Sequence, residues 1–325
     1  MSNLKFCQIN AENLFLLFDQ PLPTNYLKLD KKQWESLSIS TFDNKPLSKV
    51  IALAHALIDL DADIVMMNEV GGVESLKNFN HYFLDNRYSP ILVEGNSDRS
   101  IDVGFLIKKN LSFYFDLFSH KNKDIDLSYS HITDKKITYK FSRDCAELRL
   151  FKSDVNQPFL IILLTHLKSP LDPERIDAGG ALRRTSELKS CVEIYNDLRK
   201  SLPSVPVMLC GDFNGAAGRL NTDPEFSALY AKTDLEDVLE LAQIPATDRH
   251  SYVQVKSGFR SEGRQIDFCF IPESLKSHLV PSSAGIYLYK DAYGSPLKKP
   301  DTLEQKSQLP SDHYPIVFTL ENLIF

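Results

Sequence analysis

The sequence predicts an α/β protein built on a mixed sheet, and three observations carry that prediction. Short apolar runs of the buried-strand type recur along the chain. Amphipathic helical patterns separate some of these runs, whereas elsewhere the runs follow one another with only turns between them. The first arrangement calls for parallel strands and the second for antiparallel ones, so an all-parallel sheet is not expected.

Taken in order, a first strand is expected at 4–9 (LKFCQI), almost at the start of the chain. A helix follows over 48–60, where Val50, Ile51, Ala54, Leu57 and Ile58 form one stripe and Pro46 stands just ahead as a start signal. Residues 64–67 read as the next buried strand, and 80–165 as strands joined by turns, with the clearest apolar runs at 103–107 and 159–165. A second long helix is expected over 180–200 through Leu182, Leu188, Val192, Ile194 and Leu198, closed by Pro203. Strands at 205–210, 266–271 and 314–320 and a shorter helix at 234–242 complete the pattern. The polar, poorly patterned segments 19–45 and 121–137 read as long surface loops, which near a site often shape the substrate groove. With no internal repeat, low-complexity tract or convincing linker, residues 1–325 are read as one domain.

A chain of 325 residues with 43% hydrophobic content can build a large core. Its net charge of −6 argues against a generally basic nucleic-acid coat, but leaves room for a local site in which a bound metal supplies the positive charge. The cysteines Cys7, Cys145, Cys191, Cys210 and Cys269 are scattered, with no CxxC or Cys/His cluster, so neither a zinc site nor a disulfide framework is expected. Unpatterned cysteines fit a reducing compartment. The N-terminal MSNLKFCQIN has no signal-peptide pattern, and no apolar run approaches the ~18 residues of a membrane span. A cytoplasmic location and no stable membrane insertion are the expectation.

Several of the expected strands end in groups that are costly beside a core. The first runs into Asn10, Glu12 and Asn13, and the second into Asn68 and Glu69. The 159–165 run ends in His166, Asp267 opens RQIDFCFI, and Ser311, Asp312 and His313 precede the last strand. In VPVMLCGDFNG the run 205–210 meets Gly211, Asp212, Phe213 and Asn214, with alternation pointing Asp212 and Asn214 the same way and Phe213 back inside. Singly, each has an ordinary explanation as a turn former, a cap or a satisfied histidine. Together, Glu69, Asp212, Asp267 and Asp312 would crowd negative charge where strands adjoin, and unpaired carboxylates there are expensive. A divalent cation is the natural counterweight, and an all-oxygen donor set points to Mg2+ or Mn2+. With two histidines and two carboxamides added, the inventory is that of a phosphate-ester hydrolase.

The ordered series QINAENLF, DIVMMNEV, LLTHLKS, CGDFNG, QIDFCF and SDHYPIVF resembles the endonuclease/exonuclease/phosphatase superfamily, the deoxyribonuclease I-like proteins, in a bacterial-type form. The resemblance runs from Asn10 to His313. It implies a four-layer α/β/β/α sandwich with two packed mixed sheets and the catalytic groups at one rim. It also implies roles. Glu69 is the principal metal ligand, with Asn10 and Asp312 beside it, and Asp212 and Asn214 orient the nucleophile and bind the scissile phosphate. His313 is the base that activates water, with Asp267 on its far nitrogen, because a carboxylate there fixes the tautomer and stabilises the imidazolium. His166 resembles a phosphate donor or leaving-group acid, with Glu94 as its best-matching carboxylate partner and Asp98 and Asp102 as competitors. Arg143 resembles a phosphate-contacting arginine, Asn13 a turn or supporting residue, and Arg99 and Lys168 read as structural or solvated.

Departures from known branches narrow the substrate. The GDFN motif continues as GAAGRLNTD and the first motif reads INAEN, unlike abasic-site endonucleases. The tryptophan-cysteine-aspartate-arginine signature of inositol polyphosphate 5-phosphatases is missing near QIDFCF, and the only tryptophan is Trp34, which leaves no aromatic membrane-inserting hairpin. The expectation is a metal-dependent nuclease, with DNA slightly favoured over RNA. A phosphatase or phospholipase C-type hydrolase acting on a small phosphorylated molecule or lipid headgroup is the alternative. A binding module that has lost turnover is disfavoured, because no ligand or base of the series is missing.

Overall fold

Side-chain alternation along the strands decides the architecture. The computed structural model describes residues 2–129, 137–152, 157–172, 175–256 and 260–323. Within them, two six-stranded sheets pack face to face. The first has the order Gly285–Ile286, Ile316–Leu323, Ser2–Leu14, Ile64–Val70, Asp102–Lys108, Tyr88–Leu92. The second has the order Glu236–Asp237, Asp267–Ile271, Val207–Asp212, Pro158–His166, Cys145–Phe151, Tyr114–Ser119. Each sheet has one parallel pair near its centre, Ser2–Leu14 with Ile64–Val70 and Pro158–His166 with Val207–Asp212, and its other ladders are antiparallel. Both sheets are therefore mixed, as the alternation of helices and turns requires.

Every second residue of the inner strands enters the core between the sheets: Leu4 and Phe6, Ile64 and Met66, Ile162 and Leu164, Met208 and Cys210, Ile316 and Phe318. Phe6 and Phe318 stack there with ring centroids 5.0 Å apart. The intervening residues face outward onto helices. Cys7, Ile9, Val65 and Met67 pack under the helices Leu47–Leu60 and Gly72–Phe83 through Leu53, Leu57, Leu76 and Phe79. Ile161, Leu163, Val207 and Leu209 pack under Ala181–Ser201 through Leu188, Val192 and Tyr195. The layering is α/β/β/α. Each fully buried aliphatic or aromatic side chain contributes roughly 1.5–3 kcal/mol, so this doubly covered pair of sheets makes a rigid base for whatever sits at its edge.

Three expectations are refined. The helix expected at 234–242 is an edge strand, Glu236–Asp237, followed by one turn, Val238–Leu241. Segment 19–45 contains the helical turn Lys31–Glu35, closed by a capping box of Asp30 and Gln33, and it buries Trp34, whose Nε1 donates to the Lys45 carbonyl at 2.9 Å. In segment 121–137 the pair Asp124–Ile125 forms a short ladder with Tyr139–Lys140, while 130–136 lie outside the described residues. All the cysteines are buried and free. No helix among the described residues is long and apolar enough to cross a membrane.

Candidate active site

The alternation that fills the core also builds the site. Continuing the inward-facing positions toward one end of the sandwich, Leu4 and Phe6 give way to Gln8 and Asn10, and Met66 to Asn68. Leu164 gives way to His166, Cys210 to Asp212, and Cys269, read backwards, to Asp267. All six polar residues are buried. The ladders hold them side by side, because Asp212 is the Cα partner of both His166 and Asp267, and Asn10 that of Asn68. The rim lies at the carboxyl ends of both parallel pairs, where open α/β sheets place their ligands.

Hydrogen bonds stitch the two sheets together there. Asn10 Nδ2 donates to Asp212 Oδ2 at 3.0 Å, and Gln8 Nε2 donates to Asn68 Oδ1 at 2.9 Å and to Asp267 Oδ1 at 3.2 Å. Asn68 Nδ2 donates across to the Thr165 carbonyl at 2.9 Å. His313 arrives from the segment before the last strand. Its Nδ1 lies 2.7 Å from Asp267 Oδ2, and its Nε2 lies 4.0 Å from Asp212 Oδ2 and 3.8 Å from Asp312 Oδ1. Two serines set this arrangement. Ser251 Oγ accepts from the Asp267 N–H, while Ser311 Oγ donates to the Asn10 carbonyl and accepts from the His313 N–H.

Simple alternation would turn Glu69 outward with Val65 and Met67, but the backbone breaks there. Glu69 has φ 60°, and both ladders of its strand shift register around it. A bulge of this kind re-aims a side chain. Glu69 Oε2 accepts the Asn13 N–H at 3.1 Å, and its Oε1 stands 3.9 Å from His166 Nε2. Asn13, itself at φ 54°, accepts from Arg99 Nη2 at 2.7 Å through its side chain.

No protein-family model matches the sequence, and no curated protein matches it. Solved structures do match in fold. TDP2 from D. rerio, in a structure complexed with a single strand DNA product, aligns with a TM-score of 0.59 at 14% identity, covering 99% of this chain and 100% of that one. The human Nocturnin catalytic domain with bound sulfate aligns at 0.57 and 14% identity, covering 98% and 93%. An endonuclease/exonuclease/phosphatase family protein from Bacteroides thetaiotaomicron aligns at 0.53 and 16% identity, covering 98% of each. The chain has the endonuclease/exonuclease/phosphatase fold. Identities this low speak to the fold, so the roles of individual groups rest on the geometry.

Within this fold, the two rim histidines are pushed apart. Burial opposes a charge on His313, but the Asp267 carboxylate, helped by Asp312 and Asp212, holds its pKa well above the usual histidine value. Burial, reinforced by the positive charges of Arg143 and His313, holds His166 well below it. Asp212 is raised to about 7 by burial and by Asp267. For Asp312, burial is outweighed by His313 and Lys306, whose Nζ lies 3.3 Å away, so its carboxyl is lowered. Lys306 also stands 3.6 Å from the Tyr252 ring centroid, and the Tyr252 ring packs against His313 at 5.1 Å.

His166 differs from its expected environment. Its Nε2 faces Asp212 at 3.5 Å and Glu69 at 3.9 Å, whereas its buried Nδ1 has no partner. The expected pairing with Glu94 is not made. The Glu94 carboxylate stands instead over Gly72, Asp102 accepts the Gly95 N–H at 2.7 Å, and Asp98 lines a neighbouring cavity. Asn214, at φ 54°, donates through Nδ2 to the Leu167 carbonyl at 3.0 Å and through its N–H to Asp212 Oδ1 at 2.8 Å, which closes the GDFN turn onto the His166 strand. Arg143 is buried, with Nη1 reaching only Ser142 Oγ at 3.3 Å and Nε unpartnered. Burial lowers its pKa, against the raising influence of Glu187, Glu69 and Asp212.

In kind, the rim donors suit a hard divalent cation. Glu69, Asp212, Asp312 and the Asn10 carboxamide offer oxygen only, and burial, joined by the Asp267 charge, raises Asp212 to about 7. Asp212, Asp267 and His313 also approach one another, with ligating atoms all within 4.8 Å. We do not read that trio as the cage, because Asp267 Oδ2 is already engaged by His313 Nδ1. Sequence reasoning noted Asn68 and Ser311 at strand ends without giving them a role, and passed over Gln8 and Ser251. The place of Gln8 and Asn68 in the site could have been found by extending the inward parity of their strands, whereas the serines carry no signal of their own.

Proposed function

We propose that this chain is a divalent-metal-dependent phosphodiester hydrolase whose substrate is nucleic acid. The observation that carries the reading is the rim itself, where a His313–Asp267 pair faces Asp212, with Glu69 re-aimed beside it by a backbone bulge. Glu69, Asn10 and Asp312 would hold Mg2+ or Mn2+. When bound, the cation supplies positive charge that stabilises the phosphate and opposes protonation of His313.

The protein's own groups do the rest. Asp267 accepts from Nδ1 of His313, which leaves Nε2 directed toward Asp212 as the atom that takes the proton from the attacking water. Asp212, held by Asn10 and by the Asn214 N–H, orients that water. Arg143, with its unanswered donors, binds a phosphate oxygen, and the second Nδ2 hydrogen of Asn214 adds another contact. His166, kept neutral by burial and its cationic neighbours, donates a hydrogen bond, not a proton, to the phosphate or to the leaving oxygen. The single strand DNA product in the D. rerio TDP2 structure supports nucleic acid as the substrate class.

The test is a screen of the purified chain with Mg2+ or Mn2+ against plasmid DNA, single-stranded DNA, RNA, bis-p-nitrophenyl phosphate, phosphoinositides and sphingomyelin. Nucleic-acid cleavage that is abolished by chelator is the expected result. Full activity in excess EDTA would remove the metal assignment, and cleavage confined to monoesters or lipids would replace the nuclease reading with a phosphatase or phospholipase C-type one.

A further inference from the structure

Next to the rim the described residues enclose a cavity of about 630 Å³, inside the ~300–1,000 Å³ range of small-ligand sites. Arg143 stands between the two, lining the cavity while sharing the electrostatic environment of Glu69 and Asp212. We propose that this cavity is a subsite for one flanking nucleotide unit of the substrate, with its phosphate against Arg143 and Lys168 and its base against Tyr139. The inference rests on the phosphodiesterase reading and sharpens it, because a base must leave the stack to enter, so the preferred substrate is single-stranded rather than duplex.

Two cations of this cavity, Arg143 and Lys168, have no carboxylate ion pair among the described residues, whereas Arg183 is paired with Glu187 at 3.2 Å. Arg143 is 6% exposed, and its Nε has no hydrogen-bond partner at all. A buried guanidinium with donors to spare is costly until an anion meets it. Lys168 Nζ reaches only the carbonyls of Ser169, at 3.0 Å, and Leu171. Burial, and then the charge of Arg143, lowers the pKa of Lys168, so the two cations repel one another across the cavity wall.

Two of the acidic residues that line the same space are occupied elsewhere, and the third, Asp98, sits beside Arg99 on the cavity wall. Asp172 accepts the N–H groups of Ile176 at 3.1 Å and Asp177 at 2.8 Å. Asp177 accepts those of Leu182 at 3.0 Å and Arg183 at 2.9 Å. Buried Glu187 pins both basic walls by accepting the Ser142 N–H at 2.7 Å and the Lys168 N–H at 2.8 Å. The aromatic element is Tyr139, half-buried, with the Tyr129 ring edge-on at 5.4 Å and the Arg183 guanidinium 6.0 Å from its centroid. A fixed cationic floor with a braced aromatic wall is the chemistry that holds a phosphate and a base together.

The test is calorimetric titration of the full chain with adenosine 5′-monophosphate, inorganic phosphate and adenosine, alongside hydrolysis of bis-p-nitrophenyl phosphate with Mg2+. The monophosphate is expected to bind more tightly than either fragment. Tyr139→Ala is expected to weaken it roughly tenfold, as loss of a stacking partner does, and Tyr139→Phe to restore it. Lys168→Gln is expected to weaken both the monophosphate and inorganic phosphate. A single-stranded oligonucleotide is expected to be cut faster than the same sequence in a blunt duplex. Undetectable monophosphate binding, or equal affinity in folded Tyr139→Ala, would overturn the subsite, and faster duplex cleavage would overturn the single-strand preference. These outcomes are separate from the parent reading, which falls if bis-p-nitrophenyl phosphate is untouched and survives if it is hydrolysed without monophosphate binding.

Discussion

Gly211, the residue before Asp212 in the GDFN turn, offers the sharpest test of how the strands hold the site. Its φ is 137°, a region that side chains rarely adopt. A Cβ placed on it would lie 2.9 Å from the Thr165 carbonyl carbon and 3.1 Å from the Thr165 nitrogen, and closer still to the Thr165 oxygen. Thr165 is its ladder partner in the parallel pair, so the obstruction is neighbouring backbone and not the tip of a side chain that can swing away. Gly211→Ala therefore has two costs. Backbone strain costs about 1–3 kcal/mol, and pushing two paired strands apart costs about 1–3 kcal/mol more. The total of roughly 2–6 kcal/mol is a large share of the ~5–15 kcal/mol that holds a typical protein folded.

The residues displaced with the backbone are the next pair in the same ladder, Asp212 and His166. Misplacement of about 1 Å at a reacting centre can cost about 10²-fold in rate. Urea unfolding should show the loss of stability, and turnover of bis-p-nitrophenyl phosphate at temperatures where the variant is folded should show the loss of rate. Gly285→Ala is the control, since nothing lies within 4 Å of its Cβ and it belongs to the edge strand Gly285–Ile286; its effect should stay within about 0.5 kcal/mol. A Gly211→Ala protein with wild-type midpoint and rate would refute the claim that close strand approach positions the site.

Other outcomes follow from the same geometry. Asp267→Asn removes the carboxylate 2.7 Å from His313 Nδ1 and should lower kcat by at least about 10²-fold; a near-wild-type rate would dissolve the pair as a catalytic unit. Glu69→Gln should raise the metal concentration needed for half-maximal activity, and an unchanged titration would count against Glu69 as a ligand. Asp237, far along the edge strand, is fully buried with Oδ1 unpartnered and Oδ2 accepting only from Gln265 at 2.9 Å. Burial, joined by Glu240 and opposed chiefly by the Gln265 hydrogen bond and then by the Leu239 backbone and Arg249, raises its pKa from 3.8 to about 7. Folding thus favours the protonated form, and its contribution is present in full below the unfolded value and lost as pH climbs through about 7. Asp237→Asn should therefore flatten the stability profile between those two pH values and add a few kcal/mol at pH 8, since the ionised carboxylate costs about 1.4 kcal/mol for every tenfold change in its proton affinity on folding. Retention of the wild-type slope in chemical denaturation would refute the assignment.

The sandwich was legible because its strands obey one rule. Apolar residues at every position mark strands covered on both faces, and the long helix Ala181–Ser201 buries Leu188, Val192, Ile194 and Leu198 of its expected stripe while Leu182 stays exposed. The helix Gly72–Phe83 was not expected from the sequence, although Val73, Leu76, Phe79 and Phe83 recur at helical spacing and face the core. At the rim, Asn10, His166, Asp212, Asp267 and His313 could be expected to meet because each closes or opens an apolar run. The partner of His166 could not be read off in the same way. Asp212 faces it as its ladder neighbour, but the approach of Glu69 depends on the bulge there, and a change of register leaves no mark in the order of residues.

The energetics of the rim are also an argument about its purpose. A core built for stability alone would place apolar or fully paired groups between two sheets. Here Asp212 is raised to about 7, His166 is held below the usual value, and His166 Nδ1, Gln8 Oε1 and Arg143 Nε are buried without partners. Each of these features is destabilising on its own, by roughly 1–3 kcal/mol for an unmatched buried polar group. These groups lie together at one end of the sandwich, Gln8, His166 and Asp212 on strands whose ladders leave them little freedom to relax, although Asp237 Oδ1 at the sheet edge is buried and unpartnered too. Strain collected in one rigid cleft that holds both the Arg143 donors and the carboxylates of Glu69 and Asp212 is matched by a ligand that brings an anion and a cation together. A phosphate accompanied by a divalent metal ion answers both halves at once, and a neutral or purely cationic ligand answers only one.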